Sequence, residues 1–139
     1  MTVDPTGPAC HRGTRSCFDD VAGENPAVQP TTQGFAWLET LWATIASRAA
    51  ERPAGSYTTA LLEGGVDAVA RKVTEEATEV LLAAKDDAAA EAAGVSREAT
   101  RRALAGEAGD LLYHALVLLA ERDLQPAPVI ATLQARHQS

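Results

Sequence analysis

Apolar residues recur at three- and four-residue intervals through nearly all of residues 35–137, the mark of helices that bury one side. The first predicted helix carries Leu38, Leu41, Trp42, Ile45 and Ala49, with Glu39, Thr44, Ser47 and Arg48 among its polar positions, and Pro53 and Gly55 stop it. Residues 56–63 fit a short helix ended by Gly64 and Gly65. A second main helix is predicted over about 67–85, with Val66, Val69, Val73, Ala77, Val80, Leu81 and Ala84 as its buried stripe. At 1.5 Å per residue it would be roughly 28 Å long. The Ala-rich stretch 86–95 leaves the position of the break open, and Ser96 is a plausible N-cap for a third helix. There Leu104, Ala108, Leu111, Leu112, Ala115, Leu116 and Leu119 keep the period. Asp123, Pro126 and Pro128 mark a turn, and a last helix carries Val129, Ile130 and Leu133 towards His137. Short connections make such neighbours antiparallel. The expected fold is all-α, an antiparallel bundle of about four main helices. Residues 1–34 lack this period and hold four of the seven prolines and both cysteines, so they are read as an irregular segment before a helical domain at 35–139.

Composition agrees with one ordinary domain plus an appendage. Hydrophobic residues are 46% of the chain but aromatics only 4%, which favours a helical bundle over a sandwich or barrel. The net charge of −7 argues against a nucleic-acid surface, which needs a basic patch. It leaves room for a phosphate-bearing small molecule if metal ions lie between the two sets of negative charge. The first residues lack the basic start and apolar run of a signal peptide, and no apolar run is long enough to span a bilayer. The expected compartment is the cytoplasm, with Cys10 and Cys17 as reduced thiols or metal ligands rather than a disulfide.

The chemistry lies in the acids. Glu75, Glu76 and Glu79 fall in the second main helix, Glu107 and Asp110 in the third. A spacing of three residues separates side chains by about 60° around a helix axis, so Glu76 with Glu79, and Glu107 with Asp110, point the same way. On facing antiparallel helices, the two pairs converge. Carboxylates on solvated faces have the same spacing, but here each pair borders an apolar run: 80–84 after Glu79, and 111–113 and 115–120 after Asp110. Both helices are therefore expected to be buried nearly all round at these points. Unpaired buried carboxylates repel one another and lose hydration, which a divalent cation relieves. Oxygen-only ligands suit Mg²⁺, or Mn²⁺, rather than zinc. Arg71, Lys72 and Lys85 are candidate phosphate-binding cations, and His114, one turn after Asp110, is a candidate substrate contact.

Residues 70–80, with Ala83-Ala84-Lys85 behind them, resemble the phosphoribosyl-ATP pyrophosphohydrolases of histidine biosynthesis. So do Gly55-Ser56-Tyr57-Thr58, the run from Gly106 to His114, and the ending from Leu118 through His137. Thr74 stands where the family usually has glycine. That family is one of the all-α nucleotide pyrophosphohydrolases, marked by Glu-x-x-Glu and a later Glu-x-x-Asp. The resemblance implies that Glu76, Glu79, Glu107 and Asp110 hold Mg²⁺ and that Glu75 or Glu79 takes a proton from water. Arg71, Lys72, Lys85, Ser56, Tyr57 and His114 would contact substrate. It implies cleavage of phosphoribosyl-ATP between its α and β phosphates, giving phosphoribosyl-AMP and pyrophosphate, by a homodimer. The rival expectation is a house-cleaning enzyme acting on nucleoside triphosphates, with the same acids and different base and ribose contacts. A helical dimer without activity would lack some of the acids, and all are present.

The stretch from Thr6 to Phe18 resembles the C-terminal end of phosphoribosyl-AMP cyclohydrolase, often fused ahead of the pyrophosphohydrolase. In that family the cysteines matching Cys10 and Cys17 are zinc ligands together with a third from upstream. Two thiols, even with His11, fall short of ordinary zinc coordination. The expectation is a remnant of a fused parent, without bound zinc and without cyclohydrolase activity.

Overall fold

The structure is a computed structural model and describes residues 34–138. Cys10, His11 and Cys17, and with them the cyclohydrolase-like reading, lie outside the described residues. Among those described, a 3-10 turn at Gly34–Ala36 precedes five α-helices: α1 (Trp37–Glu51), α2 (Tyr57–Glu63), α3 (Gly65–Ala92), α4 (Glu98–Glu121) and α5 (Pro126–His137). None of these residues forms a strand, as the all-α expectation requires. The described residues divide into two compact units, one up to Thr59 and one from Ala60 on.

In the first unit, Leu41 and Ile45 are the buried members of the predicted α1 stripe. The helix ends one residue short of Pro53, at Arg52, whose φ of 50° closes the last turn with a bond from its N–H to Arg48 O. The Ser56 hydroxyl accepts the Thr59 N–H at 3.2 Å, a side-chain cap that starts α2.

In the second unit, α3 and α4 pack against each other. Asp87 meets Thr100 while Glu76 meets His114, so contacts run in opposite order along the two helices and the pair is antiparallel. The Ala-rich stretch does not break α3. It continues to Ala92, and its 28 residues make it about 42 Å long, well beyond the expected end near residue 85. Alanine is the best helix former, and the stop comes only where a left-handed residue is available. Gly94 supplies it, with φ of +67°. Its N–H bonds Glu91 O at 3.1 Å and the Val95 N–H bonds Ala90 O at 3.1 Å, the paired bonds of a Schellman cap. Asp123, at φ 54°, ends α4 in the same manner. Pro126 then opens α5, where its missing N–H has no cost, so the expected turn at Pro126 and Pro128 is instead a first helical turn.

The buried line of α3 is Val69, Glu76, Ala83 and Asp87; of the predicted stripe only Val69 is on it, with Val73 and Val80 half-buried. Ala77, Leu81 and Ala84 are exposed; Leu81 is 60% and its neighbour Leu82 58% exposed. On α4 the fully buried residues are Tyr113, His114 and Val117, and Leu112 is 42% exposed. The expectation that both helices are enclosed all round is thus not met within one chain: packing on one partner helix covers one line of side chains. By length and composition, α4 is also long and apolar enough to cross a membrane, which no single run suggested because Glu107 and Asp110 interrupt it.

The end of the α3–α4 pair is joined by an ionic cluster with no counterpart in the sequence reading. Asp87, 7% exposed, accepts the Thr100 hydroxyl at 2.7 Å and Arg97 Nε at 3.2 Å, and Arg97 also reaches Glu91. The Arg97 guanidinium and the Thr100 hydroxyl hold the Asp87 carboxyl down at about 2. A carboxyl held below its unfolded value stabilises the fold above about pH 4, and that contribution is lost as pH falls through about 2. Asp87→Asn is expected to melt at lower temperature at neutral pH and to lose less on acidification from about pH 4 to 2 than the parent. Parallel melts of the two proteins across that window check this, and equal acid slopes would refute the role given to Asp87.

Candidate metal centre

The centre of the α3–α4 pair gathers the acids. Carboxylate oxygens of Glu76, Glu107 and Asp110 lie within 4.8 Å of one another. Glu79, one turn after Glu76 and exposed, stands near enough to Glu76 and Glu107 for their carboxyl groups to raise its own. Three of the four acids of the predicted convergence therefore meet across the two helices, with Glu79 beside them. The three-residue spacing puts each pair on one side of its helix, and the antiparallel contact sets the sides face to face.

Their electrostatics show the strain of that meeting. Glu79 is pushed up to about 7, first by its hydrogen bond to Glu76, then by burial and by the charges of Glu76 and Glu107. Asp110 rises to about 6, first through burial and then through the charges of Glu76 and Glu107. Burial pushes Glu76 up as well, but hydrogen bonds from Lys72 and Glu79 and the nearby positive charge outweigh it and hold the group below its ordinary value. Lys72 Nζ stands 2.8 Å from Glu76 Oε1 and 3.1 Å from Glu75 Oε2.

His114 is fully buried beside the acids. Its Nδ1 is 2.8 Å from the Asp110 carbonyl oxygen, which can only accept, so Nδ1 carries the hydrogen. The same nitrogen is 3.6 Å from Glu76 Oε1. Burial lowers the His114 pKa, and the ring stands neutral at physiological pH. Tyr113 packs edge-on to it, with ring centroids 4.9 Å apart.

The remaining sequence-predicted residues lie apart from this cluster of oxygens. The Glu75 side chain is 52% exposed and paired with Lys72. Arg71 and Lys85 are exposed on α3. Ser56 and Tyr57, both buried, belong to the first unit, where Ser56 caps α2. Sequence reasoning missed a groove of about 380 Å³ that starts at Glu79 and Glu107 and extends along Ala83, Asp86, Thr100 and Ala103. Its only sequence signal is small side chains on both helices at matching distances from the acids.

Several carboxylate oxygens with no nitrogen or sulfur among them are the donor set of a hard divalent cation. The raised groups report an unmet need for positive charge, so the residues fit such an ion. A carboxyl raised in the fold stabilises it below about pH 4, and the benefit disappears as pH rises through the folded value, here about 6 to 7. In chelator, the melting temperature is expected to fall between about pH 5 and 8, and excess Mg²⁺ or Mn²⁺ should remove the fall. Glu79→Gln should flatten the chelator curve; a parent curve already flat in chelator would contradict the raised carboxyls.

A sequence model described as phosphoribosyl-ATP pyrophosphohydrolase matches residues 38–137. Among curated relatives, the histidine biosynthesis bifunctional protein HisIE of Halalkalibacterium halodurans is 45% identical over 99% of this chain and 59% of its own length. The protein of the same name from Deinococcus radiodurans is 46% identical over 96% of this chain and 55% of its own. That from Bacillus subtilis is 43% identical over 99% and 58%. The chain thus spans a little over half the length of these relatives.

Proposed function

This chain belongs to the phosphoribosyl-ATP pyrophosphohydrolase family, and from that premise we propose that it hydrolyses the α–β phosphoanhydride of phosphoribosyl-ATP, releasing phosphoribosyl-AMP and pyrophosphate in histidine biosynthesis. The observation that carries the reading is the convergence of Glu76, Glu107 and Asp110 within 4.8 Å, with Glu79 beside them, on the positions of the Glu-x-x-Glu and Glu-x-x-Asp signature. These four acids would hold Mg²⁺, with Mn²⁺ an acceptable substitute. When bound, the ion neutralises the polyphosphate and makes water more acidic. Glu79 and Glu75 are the acids placed to accept the water's proton, Glu79 because its carboxyl already has a raised proton affinity. Lys72 and Arg71 on α3 offer positive charge to the phosphates, and Lys85 lies two turns beyond Glu79. His114, buried with its Nδ1 on the Asp110 main-chain carbonyl and 3.6 Å from Glu76 Oε1, lies behind the acids and is assigned to substrate on the resemblance of its run. The groove beside Glu79 and Glu107 gives a substrate room next to the acids. Ser56 and Tyr57 are assigned to substrate on the resemblance of their turn.

We place the enzyme in the cytoplasm, on a free nucleotide, without nucleic-acid or membrane partners. Residues 1–34 are read as the end of a cyclohydrolase domain that holds no zinc by itself, and 35–139 as the pyrophosphohydrolase domain. A homodimer is supported by the apolar surface one chain leaves open: Leu81 and Leu82 on α3, Leu112 on α4, and Ile130 and Leu133 on α5, at 42–60% exposure. A single domain of this size without a partner would leave that surface to water.

Pyrophosphate release from phosphoribosyl-ATP, followed beside a panel of nucleoside triphosphates, should be fast only for the former and only with Mg²⁺. Glu79→Gln is expected to slow it by roughly a hundredfold or more, the upper end seen when groups around a metal are altered. Turnover of the panel with none of phosphoribosyl-ATP would point to a house-cleaning enzyme instead. The dimer has its own check: light scattering should give twice the chain mass, and Leu81→Arg should shift it to one. A parent protein that runs as a monomer at micromolar concentration would overturn that assignment.

A further inference from the structure

Glu76 is the most buried of the four acids, with its side chain 4% exposed, and one of its oxygens is already taken. Lys72 Nζ lies 2.8 Å from Glu76 Oε1, on a side chain only 14% exposed. Ion pairs shielded from water are screened much less than surface pairs, so this contact is a strong one for its type. The same Glu76 contributes to the set of oxygens within 4.8 Å that fits a divalent ion. A divalent ion sits at about 2.1 Å from its oxygen ligands, and an ammonium held on the same oxygen would be driven from it by like charge. Even on the carboxylate's two different oxygens, an ammonium and a dication stand only a few ångströms apart and repel, so each weakens the other's hold on Glu76. Glu75 breaks the tie for where the lysine goes. Its carboxylate is 52% exposed, outside the cluster of oxygens, and 3.1 Å from Lys72 Nζ. A lysine leaving Glu76 remains tethered by Glu75 at the edge of the site, where the phosphates of a substrate would arrive.

We propose that Lys72 competes with the divalent cation for Glu76, and that its displacement turns the ammonium towards the phosphates, so that cation and polyphosphate bind with positive coupling. This rests on the metal site assigned under Proposed function. In the free chain Lys72 lessens the mutual repulsion of the acids and keeps the site assembled. With the cation present, the same charge serves the substrate, and each ligand raises the affinity for the other, as reciprocal coupling requires.

The test is Mn²⁺ binding to the full chain, read by the paramagnetic resonance of free Mn²⁺, without nucleotide. Lys72→Met is expected to bind Mn²⁺ about tenfold more tightly than the parent, within the usual range of such couplings. At saturating Mn²⁺, the same variant should bind α,β-methylene-ATP, which cannot be cleaved at that bond, about tenfold more weakly. Lys72→Arg, which keeps the charge, should stay close to the parent in both. Lys72→Gln serves as a second neutral variant, and circular dichroism melts verify folding of each. Mn²⁺ affinity that is unchanged or weaker in both neutral variants would overturn the competition. Tighter Mn²⁺ with unaltered nucleotide binding would overturn the handover to phosphate. A parent that binds no Mn²⁺ would remove the metal site itself and this inference with it, whereas the preceding outcomes leave the site standing.

Discussion

Everything around the centre of this protein answers to the repulsion among four carboxyl groups held between α3 and α4. The antiparallel contact of the two helices forces Glu76, Glu79, Glu107 and Asp110 together. The fold meets the resulting cost with what it has: a raised proton affinity on Glu79 and Asp110, and the Lys72 ammonium on Glu76. Such a site costs stability in the free protein and recovers it when positive charge is supplied, a common bargain at catalytic centres.

The rest of the α3–α4 pair limits how far the acids can escape one another. At one end, the Asp87–Arg97–Thr100 cluster and the Gly94 cap fix the turn, so the helices cannot splay without breaking a buried charge network. Within the centre, His114 and Tyr113 fill the space behind the acids, and the Nδ1 hydrogen of His114 is committed to the Asp110 carbonyl. The histidine is thus part of the packing behind the acids.

Much of the apolar content lies outside that pair's contact. Leu81, Leu82, Ile130 and Leu133 would be ordinary core residues by type, yet one chain leaves each more than half exposed. The low aromatic content is consistent with this: alanine-rich helices bury little area per contact, and a thin two-helix layer cannot enclose its own leucines. The proposed homodimer is the natural consequence.

Helix content, helix ends near Pro53 and Gly55, and the grouping of acids into two convergent pairs were all legible in the sequence, because each depends on local rules of spacing and capping. The family was legible too, since Glu76, Glu79, Glu107 and Asp110 keep their order within recognisable runs. Facing was not legible. The periodicity of α3 offered Ala77, Leu81 and Ala84 as the inward line, while the structure buries Glu76, Ala83 and Asp87. A helix that is apolar on more than one side does not say which side its own chain will cover. The continuation of α3 to Ala92 and the pairing of Asp87 with Arg97 likewise depended on where Gly94 turned the chain. The sequence alone determined which acids form the site; only the tertiary contact of α3 with α4 decided how closely they meet and which of them holds a proton or a lysine, because distance and burial, not residue type, set those energies.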